Sequence, residues 1–250
     1  MHHGPFTRAG IAGTVLVVLA AATCVRLGFW QLDRLGARKA YNAAVESRMS
    51  QPVLRTRFPT GADTVGLIHR RVALTGTYDN ARSIVLPGRA LNGRPGVHLV
   101  TPLRVPGSHA AILVNRGWVP ASDGATIRFE DFVSRDTADI EALVLPFPGR
   151  NESLARSAES SSDSAFKRVW FAIDAQQLRG QFPYPLANFM VQQISDAPGQ
   201  QYPVPARTPA LNNGPHFSYA VQWFSFAAIA VIGWTVLVIR RRGTPRREPG

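Results

Sequence analysis

Two long stretches of this chain carry apolar residues with no charged side chain among them. The first covers 9–25, and its apolar character resumes after Arg26 as far as position 30. The second, 217–239, would extend about 34 Å as a helix, which is enough to cross a hydrocarbon core of roughly 30 Å. The pattern therefore predicts two transmembrane helices, at 9–30 and 216–239.

The first stretch has two other interpretations. Arg8 and the small residues at 20–22 would also suit a signal peptide and its peptidase, and the residues before Cys24 faintly resemble a lipoprotein site. Thr23 is a poor residue before a modified cysteine, and the apolar run continues past these cleavage positions. We therefore expect an anchor that is retained, with a cleaved signal peptide as the alternative.

Positive charge favours one orientation. Residues 240–242 are all arginine, and the positive-inside rule places such a cluster in the cytoplasm, together with the N-terminus of a two-span protein. Arg34, Arg38 and Lys39 argue mildly against this, but they open a long loop, for which the rule is weak. The expected localisation is the cell inner membrane, with both termini cytoplasmic. The corresponding division is a cytoplasmic N-terminus 1–8, the helix 9–30, a periplasmic β-rich domain 31–215, the helix 216–239 and a basic cytoplasmic tail 240–250.

Between the two spans the pattern changes from helical to strand-like. Helical spacing of apolar residues continues over 32–49, so we expect the first helix to run on until Gln51 and Pro52. From His69 onward, short runs rich in Val, Ile, Leu and Tyr alternate with Gly and Pro, which indicates strands. Strands are predicted at 71–78, 82–86, 97–104, 111–118, 140–145, 169–173 and 189–194. The order favours an antiparallel meander or barrel, so the expected fold class is a membrane protein with two transmembrane α-helices flanking a mostly antiparallel β (α+β) periplasmic domain.

Local signals add detail to this domain. Asn92 and Gly93 predict a tight turn, and Asp174 is placed to cap a short helix through Arg179. Residues 153–164 are rich in serine, which is typical of a loop or a disordered insert.

Composition and charge mainly exclude functions. The chain has 250 residues with 45% hydrophobic and 18% charged content, near the average for a globular domain, so we expect one domain plus its anchors. The net charge of +12 comes mostly from scattered arginines, so nucleic-acid binding is not expected. Cys24 is the only cysteine, which rules out an intrachain disulfide, a CxxC pair and covalent haem attachment. HExxH, GxSxG, GxGxxG and P-loop patterns are missing, so we do not expect an enzyme.

Three separated parts of the chain carry distinctive motifs. They are LGFWQLDRL at 27–35; GTYD at 76–79, GVHLVTPL at 96–103 and LVNRGWVP at 113–120; and NGPHFSYAVQWF at 213–224. Each block alone is a weak signal, but their order and the two-span pattern together make a specific match. On these residues the chain resembles the surfeit-locus (Surf-one) family of cytochrome c oxidase assembly factors.

The resemblance implies a function and a set of partners. Family members are described as assembly factors, not enzymes, that help haem a reach the catalytic subunit of the oxidase during respiratory chain biogenesis. It implies haem a as a transient cofactor, and cytochrome c oxidase subunit I, the haem a synthase and membrane lipid as partners. The alternative is a haem-free, membrane-anchored chaperone or scaffold for an oxidase subunit.

His216 is the candidate iron ligand. In the predicted second helix it shares a face with Tyr219, Ala220 and Trp223, at positions i, i+3, i+4 and i+7. The field at a helix N-terminus favours neutral imidazole, which is the form that binds iron. The alternative is an interfacial histidine that anchors the helix beside Tyr219 and Trp223. Together with the resemblance, this arrangement makes His216, Tyr219 and Trp223 a candidate cofactor site.

Trp30, Gln31 and Arg34 bring an aromatic ring, an amide and a cation to the outer end of the first span. Arg34 could pair with a haem propionate, because a guanidinium binds a carboxylate with two hydrogen bonds. An aromatic belt beside a solvated arginine is the simpler explanation. We place Trp30 and Arg34 in the candidate cofactor site and Gln31 among structural or partner contacts.

Four consecutive residues of the third central block are expected to make structural or partner contacts. They are Asn115, Arg116, Gly117 and Trp118. Arg116, near the end of a predicted strand, is expected to close the domain by hydrogen-bonding a turn. His98 alternates with two apolar neighbours, so we expect it on the opposite face of its strand from them, as a surface histidine.

Overall fold

The computed structural model describes residues 8–55, 65–147, 166–171, 173–195 and 201–242. The chain divides into two compact units, one made of Met1–Ala44 with Leu211–Gly250, and the other of Val45–Ala210. The predicted serine-rich insert and the end of the basic tail lie outside the described residues.

Two long helices dominate the first unit. The first helix, α1, is Arg8–Met49, and the last helix, α3, is His216–Arg242. The segments Gly10–Met49 and His216–Arg240 are long and apolar enough to cross a membrane. The predicted helices are confirmed, and α1 ends two residues before Gln51, as its continuation beyond the apolar stretch predicted.

The two helices pack through small residues of α1 and aromatic residues of α3. A Cβ on Gly13 would come within 2.4 Å of the Trp234 ring, and one on Gly28 within 2.6 Å of the Phe224 ring. These two rings therefore lie against the backbone of α1, and Trp234 Nε1 donates to Thr14 Oγ1 at 3.2 Å. Buried or half-buried positions recur at intervals of three and four residues, as in a left-handed helix pair. They include Gly10, Thr14, Val17, Ala21, Cys24, Gly28 and Gln31 on α1, and His216, Ala220, Trp223, Ala227, Ala230 and Trp234 on α3.

Seven strands and a short helix, α2 (Ala175–Gly180), form the second unit. The strands are β1 (Leu54–Arg55), β2 (Arg71–Tyr78), β3 (Ile84–Leu91), β4 (Arg94–Arg104), β5 (Ala111–Pro120), β6 (Ala138–Pro146) and β7 (Leu186–Gln193). Their order is β1-β2-β6-β7-β5-β4-β3, and a further pairing of β2 with β4 closes the five middle strands into a barrel. Closure pairs strands that would otherwise leave open edges.

The barrel has a core on its inside and a second core on one outer face. Inside, alternate residues such as Val72, Val114 and Val191 are fully buried. Outside, Leu113 of β5 packs in one cluster with Leu178 of α2, together with aromatic residues that precede and follow this helix. The first four residues of β5, 111–114, are buried on both faces and are all apolar, as for a strand in the middle of a covered sheet.

The observed strands confirm most of the predicted ones and correct two points. The prediction at 71–78 has the observed bounds of β2, and the other matching strands differ from their predictions by a few residues at the ends. The predicted strand at 169–173 is wrong, because among its described residues, 169–171 and 173, only Val169 forms a bridge, to Val85 of β3. The backbone N–H of Trp170 donates to the Val85 carbonyl and completes this bridge, and the Trp170 ring is buried in the core.

The second correction concerns the path of the chain. A meander is wrong and the barrel is right, because β7 inserts between β5 and β6. It pairs antiparallel with β6 but parallel with β5. The tight turn is confirmed, with positive φ at both Asn92 (51°) and Gly93 (76°), and so is the cap, since Asp174 accepts from the backbone N–H groups of Gln176 and Gln177.

Candidate functional site

His216 is the first residue of α3, and its ring is held by a residue of α1. Its Nδ1 atom lies 2.9 Å from Oε1 of Gln31. Because a carbonyl oxygen only accepts, Nδ1 carries the proton in this contact, and the lone pair of Nε2 is left for another ligand. Histidines that bind a metal are commonly oriented in this way through their second nitrogen. The contact joins the motif at 27–35 to the motif at 213–224.

The segment that precedes His216 is held by a second polar contact, which joins it to a later turn of α1. Asn42 of α1 is 7% exposed, and its Nδ2 donates to the Asn212 carbonyl at 2.8 Å and to Asn213 Oδ1 at 3.1 Å. Gly214 has a φ of 69°, and its N–H donates to Asn212 Oδ1 at 3.2 Å. Asn42 was not among the predicted site residues. Its spacing of fourteen residues from Gly28, on the same helical stripe, was the available signal.

The aromatic and charged candidates near these helix ends form smaller groups. The Arg34 guanidinium lies over the Trp30 ring, 5.5 Å from its centroid, and Trp30 is 48% exposed. On α3, Trp223 is half-buried and meets Phe226 edge to face, whereas Tyr219 is 46% exposed at the margin of the buried stripe. Among the contacts of the described residues, none joins Arg34 to His216. The structure thus brings Gln31 to His216 and Arg34 to Trp30, as two separate pairs.

In the second unit, Arg116 forms a hydrogen bond with a turn, which is the kind of contact expected for it. Its Nη1 donates to the Phe132 carbonyl at 2.8 Å, at the end of a single turn of 3-10 helix, Phe129–Phe132. Its guanidinium also lies over the Tyr78 ring, 4.6 Å from the centroid. Burial raises the pKa of Tyr78 to about 12, against the opposing effect of Arg116, and burial lowers the pKa of Arg116. This pair joins the first and third central motif blocks.

The neighbouring residues of the third block make two kinds of contact. Asn115 forms a network of polar side chains, called here the polar floor, and Trp118 binds the backbone of a later segment. Asn115 Oδ1 accepts from the Gly117 N–H at 3.1 Å, and Asn115 Nδ2 lies 2.7 Å from Gln192 Oε1 and 3.1 Å from His98 Nδ1. Trp118 exchanges two backbone hydrogen bonds of 2.8 Å with Val204. A side chain on Gly117 would place its Cβ 2.0 Å from the Val204 carbonyl oxygen, so only glycine fits.

His98 lies on the opposite side of β4 from its two fully buried neighbours, as predicted, but it is not a simple surface residue. It is half-buried and lines a cavity of about 860 Å3 beside the polar floor. Burial and, to a smaller extent, the Arg89 guanidinium lower the pKa of His98 to about 4, so its imidazole is neutral at ordinary pH. The alternation of residues along the strand predicted which face this histidine lies on, but not that segment 202–207 lines the same cavity.

The residues at the end of the first central block form a further polar cluster. The hydroxyl of Tyr184 donates to Asp79 Oδ2 at 2.6 Å, and Arg82 lies 3.4 Å from the same oxygen. The Arg104 guanidinium covers the Tyr184 ring at 4.3 Å from its centroid. Burial and the Asp79 carboxylate raise the pKa of Tyr184. The cluster holds the β2 end of the barrel to the segment between α2 and β7.

Taken together, the fold and the histidine define a class. The chain is a membrane protein in which two long apolar helices flank a β-barrel domain, with a histidine oriented at the start of the second helix. A model of the SURF1 family matches residues 18–228, and the chain therefore belongs to the SURF1 family. The resemblance carried by the motifs is confirmed.

Relatives from distant organisms match most of the chain. It is 27% identical to a SURF1-like protein of Rickettsia felis over 236 residues, covering 92% of this chain and 97% of that protein. It is 26% identical to a SURF1-like protein of Monosiga brevicollis, covering 88% of this chain and 84% of that protein. An uncharacterised SURF1-like protein of Mycobacterium bovis is 26% identical over 246 residues, covering 96% and 88% of the two chains.

Proposed function

We propose that this chain is an assembly factor for haem-copper cytochrome c oxidase, which assists the delivery or insertion of haem a into the catalytic subunit. Membership of the SURF1 family supports the assembly role. The observation that carries the haem role is the contact between Gln31 and His216, which holds an imidazole with its Nε2 lone pair available at a helix end. In this proposal haem a is a cargo, and the protein catalyses no reaction of its own.

The side chains at these helix ends suit a haem. His216 would supply a nitrogen ligand for the iron, and Gln31 would keep the imidazole in the required tautomer. Trp30 and Tyr219 are each about half exposed, so their rings offer aromatic surface that internal packing has not used. Within the described residues there is no group of three or more His, Cys, Asp or Glu that could hold a metal ion, and His216 is the iron ligand that this proposal assigns.

Arg34 and Trp223 complete the proposed cargo site. Arg34, exposed and stacked on Trp30, would pair with a propionate, since a guanidinium binds carboxylate strongly. Trp223 would extend the aromatic surface along α3. The proposed partners are oxidase subunit I, which receives the haem, and the haem a synthase, which supplies it.

A deletion strain tests the assembly role. Removing the gene is expected to lower the content of active, haem a-containing oxidase while the oxidase polypeptides are still synthesised, because only cofactor insertion is impaired. Difference spectra of membranes and immunoblots of the subunits measure the two quantities. A plasmid copy of the gene should restore the spectrum. Unchanged oxidase activity and haem a content in a strain without a second family member would contradict the proposal.

We also propose that the protein lies in the inner membrane with both termini in the cytoplasm and the β-barrel domain in the periplasm. The three arginines after the second span support this orientation. Alkaline phosphatase inserted at Ser161 is therefore expected to be active, and a fusion after Gly250 inactive. The reverse pattern would overturn the orientation. A mature N-terminus near Thr23 or Cys24 would establish cleavage instead of a retained anchor.

A further inference from the structure

The cavity of the second unit, called here the β-domain cavity, lies beside the hairpin of β3 and β4. It has a volume of about 860 Å3, which is in the range of sites for small organic ligands. The hairpin, the middle of β4 and β5, the end of β7 and the segment 202–207 provide its walls. The residues that matter for its chemistry are Arg94, His98, Trp118, Gln192, Tyr202 and Arg207.

The floor of the cavity presents one unused hydrogen-bond donor. Asn115 Oδ1 is occupied by the Gly117 N–H, so the nitrogen of this amide is the atom that faces His98 Nδ1 at 3.1 Å. His98 Nδ1 must then accept, which places the proton of the neutral ring on Nε2. Nε2 has no hydrogen-bond partner among the described residues. Gln192 is already engaged, with its oxygen on Asn115 and its nitrogen on two backbone carbonyls.

The rim of the cavity is positive. Arg94 and Arg207 both line it and are both exposed, and Arg89 is close enough to His98 to lower its pKa. No aspartate or glutamate is among the residues that line the cavity. Within the described part of the chain, neither rim arginine forms an ion pair with a carboxylate. Two guanidinium groups and one imidazole N–H therefore surround a space without a counter-charge.

The walls are aromatic and apolar. Trp118 and Tyr202 meet edge to face with their centroids 5.9 Å apart, and Tyr202 is 41% exposed. Leu91 and Val204 add apolar surface. Aromatic walls favour a flat apolar body, and guanidinium groups favour a carboxylate, which they bind with two hydrogen bonds.

We propose that the β-domain cavity binds a small organic carboxylate with a planar, apolar body. Arg94 and Arg207 pair with the carboxylate, the Nε2–H of His98 donates to the bound ligand, and Trp118 and Tyr202 pack against its body. Two sources share this chemistry, a free aromatic acid and the propionate-bearing face of a tetrapyrrole. The site is made of residues of the second unit alone and does not depend on the proposed haem role of His216.

Calorimetric titration of the full-length protein in lipid nanodiscs tests the proposal, with empty nanodiscs as the background. The probes are 2-naphthoate, its uncharged analogue 2-naphthamide, and iron-free protoporphyrin IX. We expect naphthoate or the porphyrin to bind, and the charged probe to bind at least about tenfold more tightly than naphthamide, because the amide cannot form the charge-assisted pairs. Binding of naphthoate that the porphyrin does not displace would identify an aromatic acid as the source. Displacement of bound naphthoate by the porphyrin would identify a tetrapyrrole.

Replacing both rim arginines provides the decisive variant. Arg94→Ala with Arg207→Ala should weaken binding of the carboxylate probe about tenfold or more, and leave the fold intact because both side chains are exposed. Arg135→Ala, which removes an exposed arginine outside the cavity, is the matched control and should bind like the wild type. Failure of both acids to bind, or equal affinity in the double variant, would overturn the proposal without affecting that for His216.

Discussion

Replacing His216 by alanine is expected to abolish the haem spectrum of protein purified from cells that make haem a. The imidazole is the iron ligand that the proposed cargo site assigns, so its loss removes the bond that would hold the haem. Expression and membrane insertion should persist, because removal of one interfacial imidazole changes little of the apolar surface that drives insertion. Haem per protein, from the absorbance of the Soret band against a protein assay, is the quantity to measure.

Three further variants show whether the effect belongs to ligation. His109→Ala removes an exposed histidine of the second unit and should leave haem content unchanged. Gln31→Ala should weaken haem binding about 10–100-fold, as expected when the residue that orients a ligand is lost. His216→Met should retain part of the haem at a higher reduction potential, because a thioether is also an iron ligand.

Haem content that survives in His216→Ala would contradict the ligand role. The proposal would then move to the haem-free chaperone for an oxidase subunit. Trp30 and Tyr219, which are half exposed at the helix ends, would become the candidate contacts for that subunit. Normal oxidase assembly with a haem-free protein would be the corresponding result in cells.

Replacing Gly117 by alanine should destabilise the barrel domain severely. Its φ of 127° is a conformation that only glycine adopts easily, and the new Cβ would lie 2.0 Å from the Val204 carbonyl oxygen. The backbone strain and the overpacking should each cost about 1–3 kcal/mol in the free energy of unfolding. The segment 202–207 would have to leave β5, so the two backbone hydrogen bonds between Trp118 and Val204 would also be lost. Urea unfolding followed by tryptophan fluorescence measures the change.

Gly180→Ala is the matched control for this variant. A Cβ there meets no atom within 4 Å, and the residue ends the short helix α2, so its stability should be unchanged or slightly raised. An unfolding midpoint for Gly117→Ala equal to that of the wild type would show that the segment 202–207 is not held against β5 in solution.

The helices could be predicted from the sequence because their signal is local. A run of apolar residues longer than a bilayer is thick has one stable solution in lipid, and 217–239 meets that condition without reference to the rest of the chain. The strand at 71–78, the turn at Asn92 and the cap at Asp174 were equally local, since each depends on backbone preferences of adjacent residues. The strand predicted at 169–173 failed because burial of Trp170 in the core outweighed the β-propensity of its neighbours.

The contacts that define the candidate sites were of another kind. His216 was identified by its motif and its place at a helix start, but nothing in the sequence paired it with Gln31, 185 positions earlier in the chain. The sequence did not explain why glycine occupies position 28 of its motif. The Phe224 ring, which lies against the backbone there, leaves no room for a side chain. Such partners are brought together by packing of side chains that are distant in sequence.

Two apolar helices, a β-rich domain between them and membership of a family could be read from the chain alone, because hydropathy, turn chemistry and motif order are properties of consecutive residues. The closure of the strands into a barrel with β7 parallel to β5, and the position of His98 at a positive cavity, became known from the folded structure. Strand order and cavities depend on which distant surfaces exclude water together, and the free energy of that exclusion is set by the whole fold and not by any local segment.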